Sequence, residues 1–248
     1  AVRLDPEAFT RVQRLAMFEI GPIFLADEDE ILPTEQIRLS VVMSGQRTVQ
    51  GWQHGDMGSY DFYDLKGILQ ALFNELHLNI SYEPVEHPTY RPGRTARLLL
   101  GEIQVGVMGE LHPLVAEQFD IQLENEDQPV LAADIDLDAL IGHIPSHYSY
   151  DPISPYPAVH EDIAVVVDKH VAAEAVEEVI RKTGGFLLKD AQLFDLYEGE
   201  QIGAGQKSLA YHLTFQAPNK TLTDKVVQKS RKKIVGQLKR RLNAQLRD

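Results

Sequence analysis

Four of the chain's thirteen prolines fall between Pro145 and Pro157, interspersed with His, Ser and Tyr. Proline removes a backbone donor and disfavours helix in the residue before it, so this stretch reads as an extended linker. A chain of 248 residues interrupted here is expected to form two modest domains, residues 1–150 and 151–248. Charge divides at the same place. Residues 1–150 hold 9 Lys/Arg and 24 Asp/Glu, a balance of −15, whereas residues 151–248 hold 15 and 13, a balance of +2. Within the second half, residues 220–248 hold 10 and 2, a balance of +8. The overall −13 argues poorly for nucleic acid, but an acidic front and a basic tail imply different partners for the two halves.

Composition excludes several classes. At 44% hydrophobic and 25% charged residues, the chain is an ordinary soluble globular protein. No run approaches the roughly 20 apolar residues that span a bilayer, so no membrane partner is expected. The first residues lack a signal-peptide pattern, and a start at Ala1 suggests a piece of something longer. Zero cysteines removes disulfides, thiolate nucleophiles and cysteine-held metals together; it also fits a cytoplasmic protein. His143 and His147 are four apart, but Pro145 breaks the helix that a metal pair would want, so no metal site is expected.

The front half is mixed. Met17 to Leu25 and Ile37 to Met43 read as strands, separated by a loop carrying the acidic run Asp27-Glu28-Asp29-Glu30. Asp61 to Leu78 is the clearest helix, with Asp61 as N-cap and an apolar face of Leu65, Ile68, Leu69, Leu72, Phe73 and Leu76. Arg97 to Gly109 reads as a hairpin turning at Gly101-Glu102, where glycine at the first central position suits a type II′ turn. His112-Pro113 opens a short helix through Phe119, and Pro129 to Ile135 reads as a strand. Asp61, Asp64 and Glu75 share one helix, but a cap and a solvated face explain them better than acid–base chemistry.

The back half reads β-α-β-β-α with a short last strand. Ile163 to Val167 is a buried strand, and Ala172 to Thr183 a helix stopped by Gly184-Gly185. Leu187 to Tyr197 and Ser208 to Phe215 are strands. Thr223 caps a long helix with a stripe through Val227, Ile234, Leu238 and Leu242, and Ala244 to Arg247 closes the sheet. The sum is βαββαβ, the ferredoxin-like split fold. Helices would cover one face and leave the other open, the usual way such sheets meet single-stranded RNA. In the third strand Leu209, Tyr211, Leu213 and Phe215 share the core face, while Ser208, Ala210, His212 and Thr214 share the other. That second set suits either the approach of a base or a simply solvated face. Tyr156 and Tyr197 are candidate stacking residues, and for Tyr156 packing against the linker is an equal alternative. The cations Lys225, Lys229, Arg231, Lys232, Lys233, Lys239, Arg240 and Arg241 cover most of one helix surface; they suit either phosphate contact or solvation.

Three C-terminal phrases have a fixed order: Pro155-Tyr156-Pro157-Ala158 leading into Asp162-Ile163-Ala164, then Leu193-Phe194-Asp195-Leu196-Tyr197-Glu198-Gly199, then Lys207-Ser208-Leu209-Ala210 closing on Thr221-Leu222-Thr223-Asp224. They resemble the ferredoxin-fold anticodon-binding domain of the bacterial phenylalanyl-tRNA synthetase β-chain family. The front half resembles the same family through Phe18-Glu19-Ile20-Gly21-Pro22-Ile23-Phe24, Tyr60 to Gly67, Pro92-Gly93-Arg94-Thr95-Ala96 and Gly106 to Pro113. Two departures stand out. His160-Glu161 replaces the basic residues usual before Asp-Ile-Ala, and Glu161 is expected to repel phosphate. Arg91 stands where relatives often carry His.

The resemblance implies an α+β chain: an antiparallel class II synthetase-like sheet with flanking helices, followed by the ferredoxin-like domain. The first module would be catalytically silent and would scaffold the catalytic α subunit. Active class II strands resembling Glu19 to Phe24 carry an Arg for the ATP α-phosphate, and none occurs from Met17 to Leu25. The glycine-rich third motif ending in Arg is also missing, and Gly101, Gly106 and Gly109 suit a hairpin. The second module would bind the anticodon region of tRNA(Phe), with Tyr156, His160, Tyr197, Ser208, Ala210, His212, Lys225, Lys232 and Arg240 as candidate contacts. Phe62, Tyr63 and Lys66 are candidates for the α-chain contact, with internal packing of both rings the alternative. Phenylalanylation would belong to an α2β2 heterotetramer using ATP and Mg²⁺, with no catalytic residue or cofactor in this chain. A stand-alone RNA-binding or regulatory paralogue is the second reading.

Overall fold

The structure, a computed structural model, describes residues 14–26, 32–48, 58–121, 128–147, 153–199 and 201–247. The acidic run at 27–30 and the middle of the proline-rich linker lie outside them. The chain forms two compact units, Ala1–Tyr148 and Ser149–Asp248.

The first unit is a six-stranded sheet in the order β1-β2-β6-β5-β4-β3, antiparallel throughout. Its strands are β1 (Arg14–Leu25), β2 (Thr34–Gly45), β3 (Ile80–Pro84), β4 (Tyr90–Leu100), β5 (Ile103–Leu111) and β6 (Leu131–Asp136); helices α1 (Phe62–Glu75), α2 (Pro113–Gln118) and α3 (Leu137–Ile141) accompany them. Leu65, Leu69 and Phe73 of α1 and Leu140 of α3 pack on Leu39, Val41 and Met43 of β2 and Leu131, Ala133 and Ile135 of β6, forming one core.

The start of α1 is over-determined. The Asp61 carboxylate accepts from the Tyr63 and Asp64 amides at 2.8 and 3.1 Å, and Asp64 accepts from the Asp61 amide at 2.7 Å, a reciprocal capping box. Arg47 then binds both acids, at 2.6 Å to Asp61 and 2.9 Å to Asp64, and these partners hold its guanidinium above its ordinary pKa. The helix ends at Glu75, short of the expected Leu78. One expected core residue is also corrected: Ile68 is half exposed. At 3.6 residues per turn the buried arc centres between Leu65 and Phe73, and Ile68 falls beyond its edge.

The hairpin expectation holds in detail. Leu100 pairs with Ile103, and Gly101 alone in the turn has positive φ, at 62°, as a type II′ turn requires. Gly106 and Gly109 are explained by sheet packing. A Cβ on either would lie 2.7 Å from a backbone carbonyl, of Asp134 and Arg94 respectively.

The second unit comprises β7 (Val159–Asp168), α4 (Ala173–Gly184), β8 (Leu188–Tyr197), β9 (Gln206–Phe215), α5 (Asp224–Leu242) and β10 (Gln245–Arg247). Its sheet order is β10-β7-β9-β8, antiparallel throughout, the order of the βαββαβ split fold. Leu209, Tyr211, Leu213 and Phe215 are fully buried against Val176 and Ile180 of α4 and Val227, Ile234 and Leu238 of α5. Gly184 belongs to the helix and Gly185, at φ 60°, ends it. Thr223 occupies the N-cap position of α5, but its side chain makes no capping bond, contrary to the expectation.

Candidate nucleic-acid interface

Both helices of the second unit lie on one face of the sheet, so the other face carries no helix. Register assigns its residues. His160, Asp162, Ala164 and Val166 of β7 stand opposite Thr214, His212, Ala210 and Ser208 of β9. At the centre of this face Phe194 of β8 stacks on His212, with ring centroids 3.8 Å apart and planes 11° from parallel. The Asp162 carboxylate pairs with His212 Nδ1 at 2.5 Å. Both rings are about half exposed, so an outer π-surface remains open to solvent.

Phe194 reaches this face through an irregularity. Leu193 pairs with Tyr211 but Asp195 pairs with Ala210, so one extra residue sits in β8. Such a bulge shifts side-chain alternation. Leu193 thus packs toward the core and Phe194 turns outward. Simple alternation back from Tyr197 does not find this residue, so sequence reasoning missed it.

Ser208 is a correction. It was expected to be accessible beside Ala210 and His212, but it is buried at 3% exposure. Its neighbours across the sheet are larger. Arg247, on the opposite edge strand, extends across the face until its guanidinium carbon lies 4.9 Å from the centroid of the Tyr197 ring. Tyr197 pairs with Ser208, and the small residues Ala164 and Ala210 leave room for the crossing. Ser208 stands in register between Val166 and Tyr197, the residue whose ring the guanidinium reaches. Arg247 also donates to Gln201 Oε1 at 3.0 Å.

The candidate residues are dispersed along the face and beyond it. His160 sits near one end, its Nδ1 3.2 Å from Thr214 Oγ1. Tyr156 is at that end too, where its carbonyl accepts from Gln216 Nε2 at 2.7 Å and its amide donates to Ser154 Oγ at 3.3 Å. Tyr197 lies at the other end of β9, eight residues and roughly 27 Å away. The two tyrosines therefore do not form one stacking site. Glu161 corrects a second expectation. It alternates to the helix side, where Gln228 donates to it at 3.1 Å and Arg231 lies at 3.7 Å, so it places no charge on the open face. Lys225, Lys232 and Arg240 are exposed on α5, on the helix layer rather than beside the rings.

In the first unit Phe62 packs against the core while Tyr63 is 75% exposed, its ring meeting Phe62 edge-on at 5.7 Å. Lys66 lies over the Tyr82 ring at 4.5 Å. The edge strand β1 exposes Phe18, Ile20 and Phe24. Phe18 and Ile20 pair with Val41 and Leu39 of the core face, so among the described residues this apolar face continues past the helices uncovered. Arg91, the departure from the usual His, shares Glu110 with Arg94, at 2.8 and 2.6 Å; Glu110 is nearly buried. Arg38 is held by both carboxylate oxygens of Asp134, at 3.1 and 2.8 Å. The described residues offer no cluster of three or more His, Asp or Glu suited to a metal. Gly106 and Gly109 are filled by neighbouring strands, so these two glycines form no phosphate cradle. No helix among the described residues is long and apolar enough to cross a membrane.

A four-stranded antiparallel sheet with helices behind it and stacked rings in front is the architecture of modules that bind unpaired RNA. Residues 154–247 match the model of the ferredoxin-fold anticodon binding domain, and residues 8–137 match that of the phenylalanyl tRNA synthetase beta chain CLM domain. The chain belongs to the phenylalanyl-tRNA synthetase β-chain family. It is 38% identical over 93% of its length to the phenylalanine–tRNA ligase β subunit of Clostridium tetani, 37% over 94% to that of Listeria monocytogenes, and 35% over 96% to that of Geobacillus kaustophilus. It spans only 27–29% of the length of these three relatives.

Proposed function

We propose that the second unit binds the anticodon region of tRNA(Phe) on its open sheet face, and that the first unit is a non-catalytic scaffold for an α subunit. The observation that carries the RNA assignment is the solvent-open Phe194–His212 stack beside the Arg247–Tyr197 strap. Unpaired bases stack on aromatic rings and are read through their edges by neighbouring polar groups. Phe194 and His212 offer the ring surface, and Asp162 fixes the imidazole. Tyr197 and Arg247 form a second plane-and-cation pair, which a base engages by displacing or sandwiching the guanidinium. Ser208 lies in register with Tyr197. His160 and Thr214 extend the polar row, and Tyr156 borders it.

Phenylalanylation with ATP and Mg²⁺ would then belong to the α subunit in an α2β2 cytoplasmic assembly. Relatives named as ligase β subunits support this reading. Similarity over 93–96% of the chain also weighs against a stand-alone paralogue. Exposed Tyr63, with Phe62 and Lys66 beside it, is the proposed α-chain contact; the apolar β1 face is a surface for further polypeptide of the assembly.

The test is chemical footprinting of tRNA(Phe) in the intact assembly. The wild type protects the anticodon loop; Phe194→Ala combined with Tyr197→Ala exposes it. Loop protection that survives both changes removes the open face from the interaction.

A further inference from the structure

The nineteen residues of α5 carry a second charged surface, distinct from the open sheet face. Counted at 100° per residue from the buried line of Val227, Ile234 and Leu238, the residues Lys225, Lys229, Lys232, Lys233, Lys239 and Arg240 fall within an arc of about 120° centred opposite the core. All six are exposed. The arc holds no acid: the only one in the helix, Asp224, lies in the first turn. Among the described residues none of these six cations has an ion-pair partner; the pairs of this helix are made at its flank, by Arg231 to Glu161. Side-by-side Lys and Glu, the common way to solvate a helix, is what α4 does, with Arg181–Glu177 and Lys182–Glu178. The α5 ridge does the opposite and concentrates one sign over about 22 Å.

A second observation sits at the centre of the same arc. Gly236 occupies the middle of the ridge, in the interior of a long helix where glycine is unfavourable. Packing does not demand it, because an added Cβ would meet nothing within 4 Å. Arg240 Nε donates to the Gly236 carbonyl at 3.4 Å, so a ridge cation is held beside a position without a side chain, where a phosphate can approach the backbone closely.

The ridge and the stacked rings cannot touch the same few nucleotides. The ridge points away from the sheet on the helix side, and Phe194–His212 points away on the other. The sheet and helix layers separate them by on the order of 15–20 Å. We infer that α5 is a sequence-independent phosphate-binding ridge for an RNA stem, engaging a different stretch of RNA from the one whose bases the sheet face reads, with Gly236 the point of closest approach. This rests on the RNA reading above, but the two surfaces fail separately.

The experiment uses the full chain and a short RNA hairpin whose loop is unrelated to any anticodon, with binding followed by fluorescence anisotropy across a salt series. Replacing Lys229, Lys232 and Lys239 together by Gln should weaken binding about tenfold or more at moderate salt. It should also reduce the slope of log affinity against log salt by about 2–3, since each duplex phosphate neutralised contributes about 0.9. Any preference between loop sequences should be unaffected. Gly236→Leu should raise the melting temperature yet weaken hairpin binding; if it binds as wild type, the role given to Gly236 falls. Phe194→Ala should leave the hairpin slope intact, and its effect on loop preference tests the other surface alone. An unchanged slope in the triple variant overturns the inference. So does complete displacement of the hairpin by polyglutamate at equal charge, which would mark a site for acidic protein.

Discussion

Phe194 stacks on His212 from a neighbouring strand because one extra residue in β8, between Leu193 and Asp195, turns the phenyl ring onto the face that simple alternation assigns to its neighbours. The stack leaves ring surface open to solvent, and Asp162 holds the imidazole from the other side. Removing the phenyl ring alone should therefore weaken binding of an unpaired loop while sparing the core, because Phe194 is half exposed. Phe194→Ala is expected to lose roughly 1–3 kcal/mol of loop affinity, on the scale of one base–aromatic stack. Titration of a labelled loop RNA gives the affinity, and an unchanged melting curve confirms that the fold is intact.

The glycines of the first unit should respond in opposite directions. Gly106→Ala and Gly109→Ala push a methyl group to 2.7 Å from a backbone carbonyl, so each should destabilise by about 1–3 kcal/mol or more. Gly67→Ala, in α1 with open space around it, should stabilise by up to about 1 kcal/mol. Asp61→Ala removes the acceptor of two helix-end amides and should cost about 1 kcal/mol. Urea denaturation of the four variants orders them.

Two tyrosines separate a satisfied hydroxyl from an orphan. Tyr211 Oη donates to the Ala173 carbonyl at 3.0 Å, so Tyr211→Phe should destabilise by about 1 kcal/mol. The buried hydroxyl of Tyr82 has no partner among the described residues, so Tyr82→Phe should be neutral or stabilising. Burial pushes the Tyr82 phenol up to about 12 and raises that of Tyr211 well above its usual range. The folded state thus holds these protons more tightly than the unfolded chain. Their contribution is complete below about pH 10 and is lost as pH rises through about 12. The part of the tyrosinate absorbance that is lost in Tyr82→Phe and Tyr211→Phe should rise only with alkaline unfolding; that part appearing at pH 10 in the folded protein would contradict the burial.

The exposed apolar row on β1 should limit the behaviour of the chain alone. Phe18 and Phe24 lie on a strand that has no partner on its outer side among the described residues, a geometry that favours edge-to-edge association. Phe18→Lys with Phe24→Lys should reduce concentration-dependent aggregation, measured by light scattering, with little change in melting temperature.

The parts of the fold legible in the sequence are those set by local periodicity and turn chemistry. The stripe of α1, the Gly101 turn, the alternation of β9 and the βαββαβ order all follow from near neighbours. What was not legible depends on partners distant in sequence. Burial of Ser208 needs the cross-strand pairing that sets it between Val166 and Tyr197, and exposure of Phe194 needs a bulge with no glycine to mark it. Glu161 is a different case. The alternation that buries Ile163 and Val165 already assigns Glu161 to the helix side, so its harmlessness to the open face was readable. The α5 cations were readable as a cluster, but their separation from the stacked rings follows only from the layering of helices on one face of the sheet.

The central claim is that the open face distinguishes anticodon bases. The direct measurement compares the affinity of this chain for tRNA(Phe) and for the same tRNA with its anticodon replaced, in the wild type and in Phe194→Ala and Tyr197→Ala. The wild type should bind the native anticodon more tightly, and the ratio should collapse toward unity in both variants while salt dependence persists. Equal affinity of the wild type for the two tRNAs, or an undiminished ratio in both variants, would contradict it.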